Sequence, residues 1–382
     1  MTAREPLASR AFLLAAASHF LHALAFYLYV SVSGFLAGLG ASEPEIGAIF
    51  AATAVTAIAL RPLLGKIMDD RGRRIVAVAG GAMSTLVCAA YLTVTTLGPW
   101  IVAIRVVHGV SEAMLFASLF AIAADQVPVS RRIEGIALFG VTGLMPMAMS
   151  GLVADFLLAH GSYRTLFATS AGLSVLGFLA SLPIRDPVRA PDAEPSRGVI
   201  AALLQPDLRP LWVVGLVFAA ALSGPFTFIK TFVLSTGIGS VGAFIGAYGA
   251  AAALVRIAFA SLPERVGPKR VLLPALAFQL AGTLTLAFAA STTAIVAAGF
   301  LCGIGHGFTF PILLGLVVTR ARDQERGAAL SIFTALFDGG TAIGAPTLGW
   351  IVKAHGYTAA FATAAVMIGF GAGAFTVWDR GR

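Results

Sequence analysis

The feature that most constrains this chain is its punctuation: apolar stretches of about twenty residues follow one another from residue 11 to residue 378, each closed by charge, proline or glycine. They lie near 11–36, 45–65, 75–96, 99–124, 135–158 and 163–183, then near 209–235, 241–262, 271–290, 293–319, 327–352 and 357–378. A bilayer core of about 30 Å is crossed by about 20 helical residues, so each run can span it. The expectation is an all-α membrane protein of twelve transmembrane helices. Composition agrees, with 58% hydrophobic and only 12% charged residues, where a soluble domain carries roughly a quarter charged. The first run follows Arg4 and Arg10 as a signal peptide would, but it is too long for a signal core and lacks a small-residue cleavage site. It reads as a retained helix.

Ile184 to Leu208 is the one stretch rich in Pro, Asp and Arg, the composition of a solvated linker. The expected units are therefore 1–183, a linker over 184–208, and 209–382. Of the 26 Lys and Arg, the loops on one side collect all but six; only Arg164 and Lys353 fall on the other side, and Arg61, Arg105, Lys230 and Arg256 lie within helices. By the positive-inside rule both termini and the linker are cytoplasmic, in a multi-pass protein of the cytoplasmic (inner) membrane. The net charge of +8 is thereby accounted for as a topology signal. No basic cluster interleaves with aromatics, so nucleic acid is not an expected partner; the bilayer is. Cys88 and Cys302 sit inside apolar runs without metal-ligand spacing and read as packing residues.

The two halves resemble each other. An offset of 195 lays Gly47 on Gly242, Arg61 on Arg256, Asp69 on Glu264, Gly72 on Gly267 and Arg74 on Lys269; an offset of 194 lays Gly109 on Gly303. Matched charges at one offset point to two pseudo-symmetric six-helix bundles. Transporters built from repeats place their substrate site near the midplane between them.

The segment Gly65-Lys66-Ile67-Met68-Asp69-Asp70-Arg71-Gly72-Arg73-Arg74 follows the second run. It resembles the loop motif G-x-x-x-D-[RK]-x-G-[RK]-[RK] of the major facilitator superfamily. Gly65, Asp69, Gly72, Arg73 and Arg74 match, while Asp70 stands where the family has a cation. A tight turn needs glycine, and charges at helix ends can bridge neighbours in one conformation and release them in another. Arg105-Val106-Val107-His108-Gly109 is similar to the family's R-x-x-Q-G signature, with His108 replacing glutamine. Gly140, Gly143, Pro146 and Gly151 are loosely similar to the antiporters' Gly/Pro motif, and Asp338-Gly339-Gly340 with Gly344 looks like the acidic, glycine-rich pattern of bacterial drug-efflux members. The resemblance implies a cavity lined mainly by helices 1, 4, 7 and 10, and pairing of Asp125 with Arg73 or Arg74.

Ionisable residues inside a membrane are costly and are functional candidates by default. Arg105, His108 and Glu112 share one face of helix 4, and His19, His22, Phe26, Tyr29 and Ser33 make a stripe on helix 1. Under the 194 offset Glu112 falls on His306, so an acid and a histidine are expected to face each other. The proton-coupling set is Glu112, Arg105 and Asp338, with Glu112 ahead of Asp338. The cavity set is His19, His22, Phe26, Tyr29, His108, Phe226, His306 and Phe310. A structural ion pair between Arg105 and Glu112 and buried hydrogen-bonding histidines are the plainer readings; Arg61 and Arg256 read as mainly structural and Lys230 as snorkelling.

The expected activity is proton-coupled efflux of a small amphiphilic organic compound by alternating access, from a monomer without cofactor or resident metal. Uptake of a polar metabolite, a sugar or organic acid, would predict more Asn, Gln and Arg on cavity faces. Export of a metal-chelating metabolite is the variant that His19, His22 and His306 suggest. A membrane receptor is the rival from another class; for an enzyme the sequence offers no nucleophile-base set or nucleotide loop.

Overall fold

The computed structural model describes residues 9–127, 132–185, 199–259, 262–322 and 325–379, and every regular element among them is a helix. The first half contains α1 (Arg10–Gly38, tightened to a 3-10 turn over Leu28–Ser31), α2 (Glu43–Arg71), α3 (Arg73–Thr93), α4 (Pro99–Gln126), α5 (Arg132–Ala159) and α6 (Tyr163–Ser181). The second contains α7 (Arg209–Thr236), α8 (Val241–Ala258), α9 (Pro268–Ala287) and α10 (Thr292–Arg320). A last helical stretch, Arg326–Trp378, has 53 residues. Unbroken, it would run about 80 Å, more than twice a bilayer core. Gly356, at φ 82° and ψ 174°, breaks it into α11 (326–355) and α12 (357–378). Asp379, just past α12, pairs with Arg320 at the end of α10, so the chain returns to the side from which α11 set out.

Ten stretches among the described residues are long and apolar enough to cross a membrane, the last being the Gly356-divided Ala328–Trp378. With α6, 19 residues long, they account for the twelve expected spans. Serines start several of them: Ser9, Ser240 and Ser291 accept from the N–H groups of Phe12, Ala243 and Ala294 at 3.0–3.2 Å. Ser42 and Glu45 form a capping box at α2, satisfying donors that the first turn leaves unpaired. Helix α2 outruns its apolar run by six residues, to Arg71, because the turn that ends it comes only at Gly72. Helix α8 stops at Ala258, short of the expected 262, and a separate short helix, Leu262–Val266, follows.

The repeat is written into the backbone. Gly72 and Gly267, 195 residues apart, take φ of 93° and 98° between α2 and α3 and between α8 and α9; a side chain would be strained at either. Close approaches repeat as well. A Cβ on Gly109 of α4 would strike the backbone of Thr53 on α2, and one on Gly303 of α10 the backbone of Tyr248 on α8, again offset by 194 and 195.

Helices α2 and α11, and α5 and α8, join the first six helices to the last six. At the end away from the arginine-rich loops this contact is tight. A Cβ on Gly47 would lie 2.8 Å from Pro346 Cα. The Gly242 N–H donates to Asp155 Oδ2 at 2.6 Å. Glu43 accepts from the Thr231 hydroxyl at 3.3 Å and from the Tyr357 hydroxyl.

Candidate functional site

Several charged residues within the spans lie where the halves meet. Arg61 of α2 forms an ion pair with Asp338 of α11, its Nε donating to Oδ2 at 3.1 Å. Glu112 of α4 is within electrostatic range of Asp338 and of Tyr27 on α1. Arg256 of α8 lies within range of Tyr27 and Tyr248, and its Nε reaches the Gly307 carbonyl at 3.4 Å. Tyr248 shares a hydrogen bond with His306 Nδ1 on α10.

An aromatic wall from α7, α8, α10 and α11 adjoins these groups. His306 stands 5.7 Å from Phe218 and 6.0 Å from Phe310, and Phe310 lies 5.2 Å from Phe337, the residue before Asp338. Phe226 packs on Tyr248 at 5.1 Å. The helix positions follow from small residues: Gly340 lets α11 approach the backbone of α7 at Leu216 and Ala220, which turns Asp338 toward α2. The arrangement supplies charged and titratable groups on both halves, joined by a pair that must break if α2 and α11 part. It also supplies flat apolar rings that accept varied apolar surfaces.

The expected residues divide. His306, Phe310 and Phe226 stand together on the second half, and Glu112 and Asp338 come within range of each other. Arg105 does not join them. It is buried, its guanidinium over the Phe50 ring at 4.6 Å and within 3.5 Å of the Tyr91 hydroxyl and the Ile49 carbonyl. Seven residues along α4 separate it from Glu112 by about 10 Å, so the expected common site splits in two.

Three expected cavity residues lie inside the first six helices instead. His22 is buried against Gly81 of α3 and Gly177 of α6. Tyr29 and His108 pack on each other at 4.7 Å with Tyr91 and Phe167 nearby. The side of α1 that carries His22 and Tyr29 turns to α3 and α6. Phe26 meets His108 edge-on at 5.3 Å. His19 bonds to the Thr142 hydroxyl at 2.7 Å and stacks on Phe139 at 4.8 Å, on the side toward α5. Among the described residues no group of three or more His, Cys, Asp and Glu is placed to hold a metal; the two cysteines are free and buried.

Arg61 and Arg256, expected to be mainly structural, stand in this cluster, and Tyr27 and Tyr248, not singled out in the sequence, adjoin them. The signal available was charge balance: an arginine within a span needs an acid, and Asp338 stood unpaired in the sequence. At the start of α3, Arg73 pairs with Asp125 and donates to the Ala121 carbonyl at 2.9 Å. Arg74 donates to the Ile184 and Leu182 carbonyls at 2.7 and 3.0 Å. Gly65 and Asp69 fall within α2, and the side chain of Asp69 lies outside the described residues.

Comparison with known proteins places this geometry. The model of the Major Facilitator Superfamily matches residues 15–292 and 234–382. The multidrug resistance protein MdtG of Enterobacter lignolyticus (strain SCF1) is 27% identical over 363 residues, covering 90% of this chain and 84% of the relative. Among solved structures, the nucleoside transporter NupG superposes with a TM-score of 0.80 at 15% identity, covering 97% of this chain and all of that one. A bacterial homologue of the human lysosomal transporter Spinster, inward-facing and unoccupied, gives 0.79 at 15% identity, with 98% of each chain covered. At such identities the structural likeness speaks to the fold.

Proposed function

The chain belongs to the Major Facilitator Superfamily, and from that premise we propose that it exports a small amphiphilic organic compound in exchange for protons. That it is a multi-pass membrane transporter and not an enzyme comes with the family. Efflux, the proton and the substrate class are our reading. The drug-resistance name of the sequence relatives supports efflux, at 25–27% identity.

The observation that carries the reading is the Arg61–Asp338 pair between the halves beside a wall of phenylalanines, with Glu112 within electrostatic range of Asp338. A carboxylate that gains and loses a proton as its surroundings change supplies a coupling element, and the rings supply an apolar surface with few fixed hydrogen bonds. In this reading units 1–183 and 209–382, joined by 184–208, rock about the site. The termini and linker face the cytoplasm across the inner membrane, and one chain suffices. Glu112 is the first proton carrier and Asp338 the alternate.

The test is transport by the purified protein in proteoliposomes under an imposed pH gradient, across a panel of amphiphilic dyes and antimicrobials. Proton-driven movement of at least one compound, abolished by collapsing the gradient, is expected. Flux that is indifferent to the gradient, or gradient-driven accumulation of sugars or organic acids alone, overturns the reading.

A further inference from the structure

Arg256, near the inner end of α8, is the second-half counterpart of Arg61 on α2, at the same offset of 195 that relates Gly72 to Gly267. Arg61 is neutralised across the halves by Asp338 of α11. The same offset carries Asp338 back to Gly143 on α5, and the sequence has no Asp or Glu between Glu134 and Asp155. The repeat keeps both arginines and supplies one carboxylate.

Among the described residues no carboxylate pairs with Arg256. Its Nε reaches the Gly307 carbonyl at 3.4 Å, which leaves the two terminal nitrogens of the guanidinium as donors. The groups within electrostatic range of it are Tyr248, Tyr27 and His306, none of them an acid that is ionised at neutral pH. Glu112 interacts with Tyr27 and with Asp338, and no interaction joins it to Arg256 among the described residues. Tyr27 belongs to the first half, so Arg256 stands where the halves meet, and Arg256, Tyr27 and His306 all keep part of their surface accessible. The aromatic wall begins beside them, with Phe310 at 6.0 Å from His306 and Phe337 at 5.2 Å from Phe310.

We propose that the transported compound is an organic anion whose carboxylate or phosphate head is held by Arg256, with Tyr27 and His306 beside it, and whose apolar body lies on Phe310 and Phe337. A guanidinium within a span is costly without a counter-charge, and its paired N–H groups match the oxygens of a carboxylate or phosphate in shape and charge. The substrate thus brings to Arg256 the charge that Asp338 brings to Arg61. A cationic compound would meet a like charge there, and a neutral one would leave the guanidinium unpaired. This names the head group of the amphiphile proposed above, and it rests on that reading only for placing the substrate between the halves.

The experiment measures fluorescence binding of three dansyl compounds to the purified full chain in a neutral detergent. Dansylglycine carries a carboxylate, dansylglycinamide an uncharged amide and dansylcadaverine an amine, on the same ring body. Dansylglycine should bind about tenfold or more tightly than its amide, the difference expected of a charge-assisted hydrogen bond, and dansylcadaverine should bind most weakly. Arg256→Gln should bring the acid down to the level of the amide, whose continued binding shows that the variant folds. Arg256→Lys should keep part of the preference, since the charge stays and the fork is lost; Phe310→Ala should weaken acid and amide alike. Competition by 1-naphthoate and by 1-naphthyl phosphate tells which head is preferred. No saturable binding of dansylglycine by the wild type, equal affinity for the acid and its amide, a preference that survives Arg256→Gln, or tightest binding of dansylcadaverine overturns the proposal. Should the glutamine variant bind neither ligand, a lysine variant that binds both without preference overturns it as well. Binding in detergent needs neither a pH gradient nor a direction. Preference for the acid without proton-driven flux therefore overturns the transport reading alone, and proton-driven flux of neutral or cationic dyes without that preference overturns this inference alone.

Discussion

Arg61 of α2 and Asp338 of α11 are 277 residues apart in sequence and form one ion pair across the two halves. Each side chain keeps about a quarter of its surface accessible, 29% and 23%, so the pair is neither locked in a dry core nor free in water. A charge within a span that loses its partner costs several kcal/mol unless another group takes its place. Movement of α2 away from α11 therefore has to be accompanied by a proton, a counter-charge or water at Asp338.

From this follows a charge-exchange test. Arg61→Gln and Asp338→Asn should each lower transport at least about tenfold, equivalent to about 1.4 kcal/mol of barrier, with expression retained. Arg61→Asp combined with Asp338→Arg should recover part of the rate, since the cross-half pair is rebuilt in reverse. Initial rates in proteoliposomes decide. A swap no better than the worse single variant would mean that Asp338 serves by taking a proton rather than by pairing.

Glu112 makes the complementary case. With Asp338 engaged by Arg61, Glu112 is the second acid within electrostatic range of the pair. Glu112→Gln should abolish flux driven by a pH gradient while leaving substrate binding within about threefold, because a neutral amide cannot carry the proton but fills the same volume. Arg105→Gln, in contrast, should act through stability, since that guanidinium serves Phe50, Tyr91 and Ile49. Normal coupling in Glu112→Gln together with loss in Asp338→Asn moves the proton site to α11.

How much of this was legible in the sequence depends on the kind of physics involved. Span number and limits follow from runs of apolar residues, a local property, and the repeat was visible because Gly72 and Gly267 mark backbone that glycine accepts readily. Helical spacing put His22, Tyr29 and His108 on shared faces, but spacing does not say which neighbour a face meets; α3 and α6 took them. The Arg61–Asp338 pair joins residues far apart in the chain, and only charge balance hinted at it. Arg105 and Glu112 were grouped because they share a face, though seven residues of rise hold them apart.

The end opposite the arginine-rich loops carries a latch. Glu43, at the start of α2, accepts from Tyr357 beside the Gly356 break and from Thr231 on α7. Glu43→Gln and Tyr357→Phe should loosen it, raising the reactivity of a cysteine in place of the buried Ile46 toward an impermeant thiol reagent in intact cells. Each hydrogen bond to a charged group is worth about 1.5–3 kcal/mol, so a rise of about tenfold or more is expected. Unchanged labelling in both variants would show that packing such as Gly47 on Pro346 closes this end unaided.

The last prediction concerns pH and Asp379, which lies past the final span. Burial pushes its carboxyl up, but the hydrogen bonds from Arg320 and Lys269 and their charges outweigh that and hold it below the ordinary aspartate range. A group whose folded pKa is depressed stabilises the fold above its unfolded value and loses that contribution as pH falls through the folded one. The advantage of wild type over Asp379→Asn should therefore be complete at neutral pH and disappear on acidification through and below the usual aspartate range. Breaking a buried pair costs about 3–5 kcal/mol; Lys269 is 30% exposed and shares the load with Arg320, so about 2–3 kcal/mol is expected here. Melting curves of the two proteins in the same detergent from neutral to acid pH measure it. A gap that stays constant with pH would assign the loss to packing at the end of α12 rather than to the charge, and the three-residue cluster would then have no electrostatic part in closing this corner.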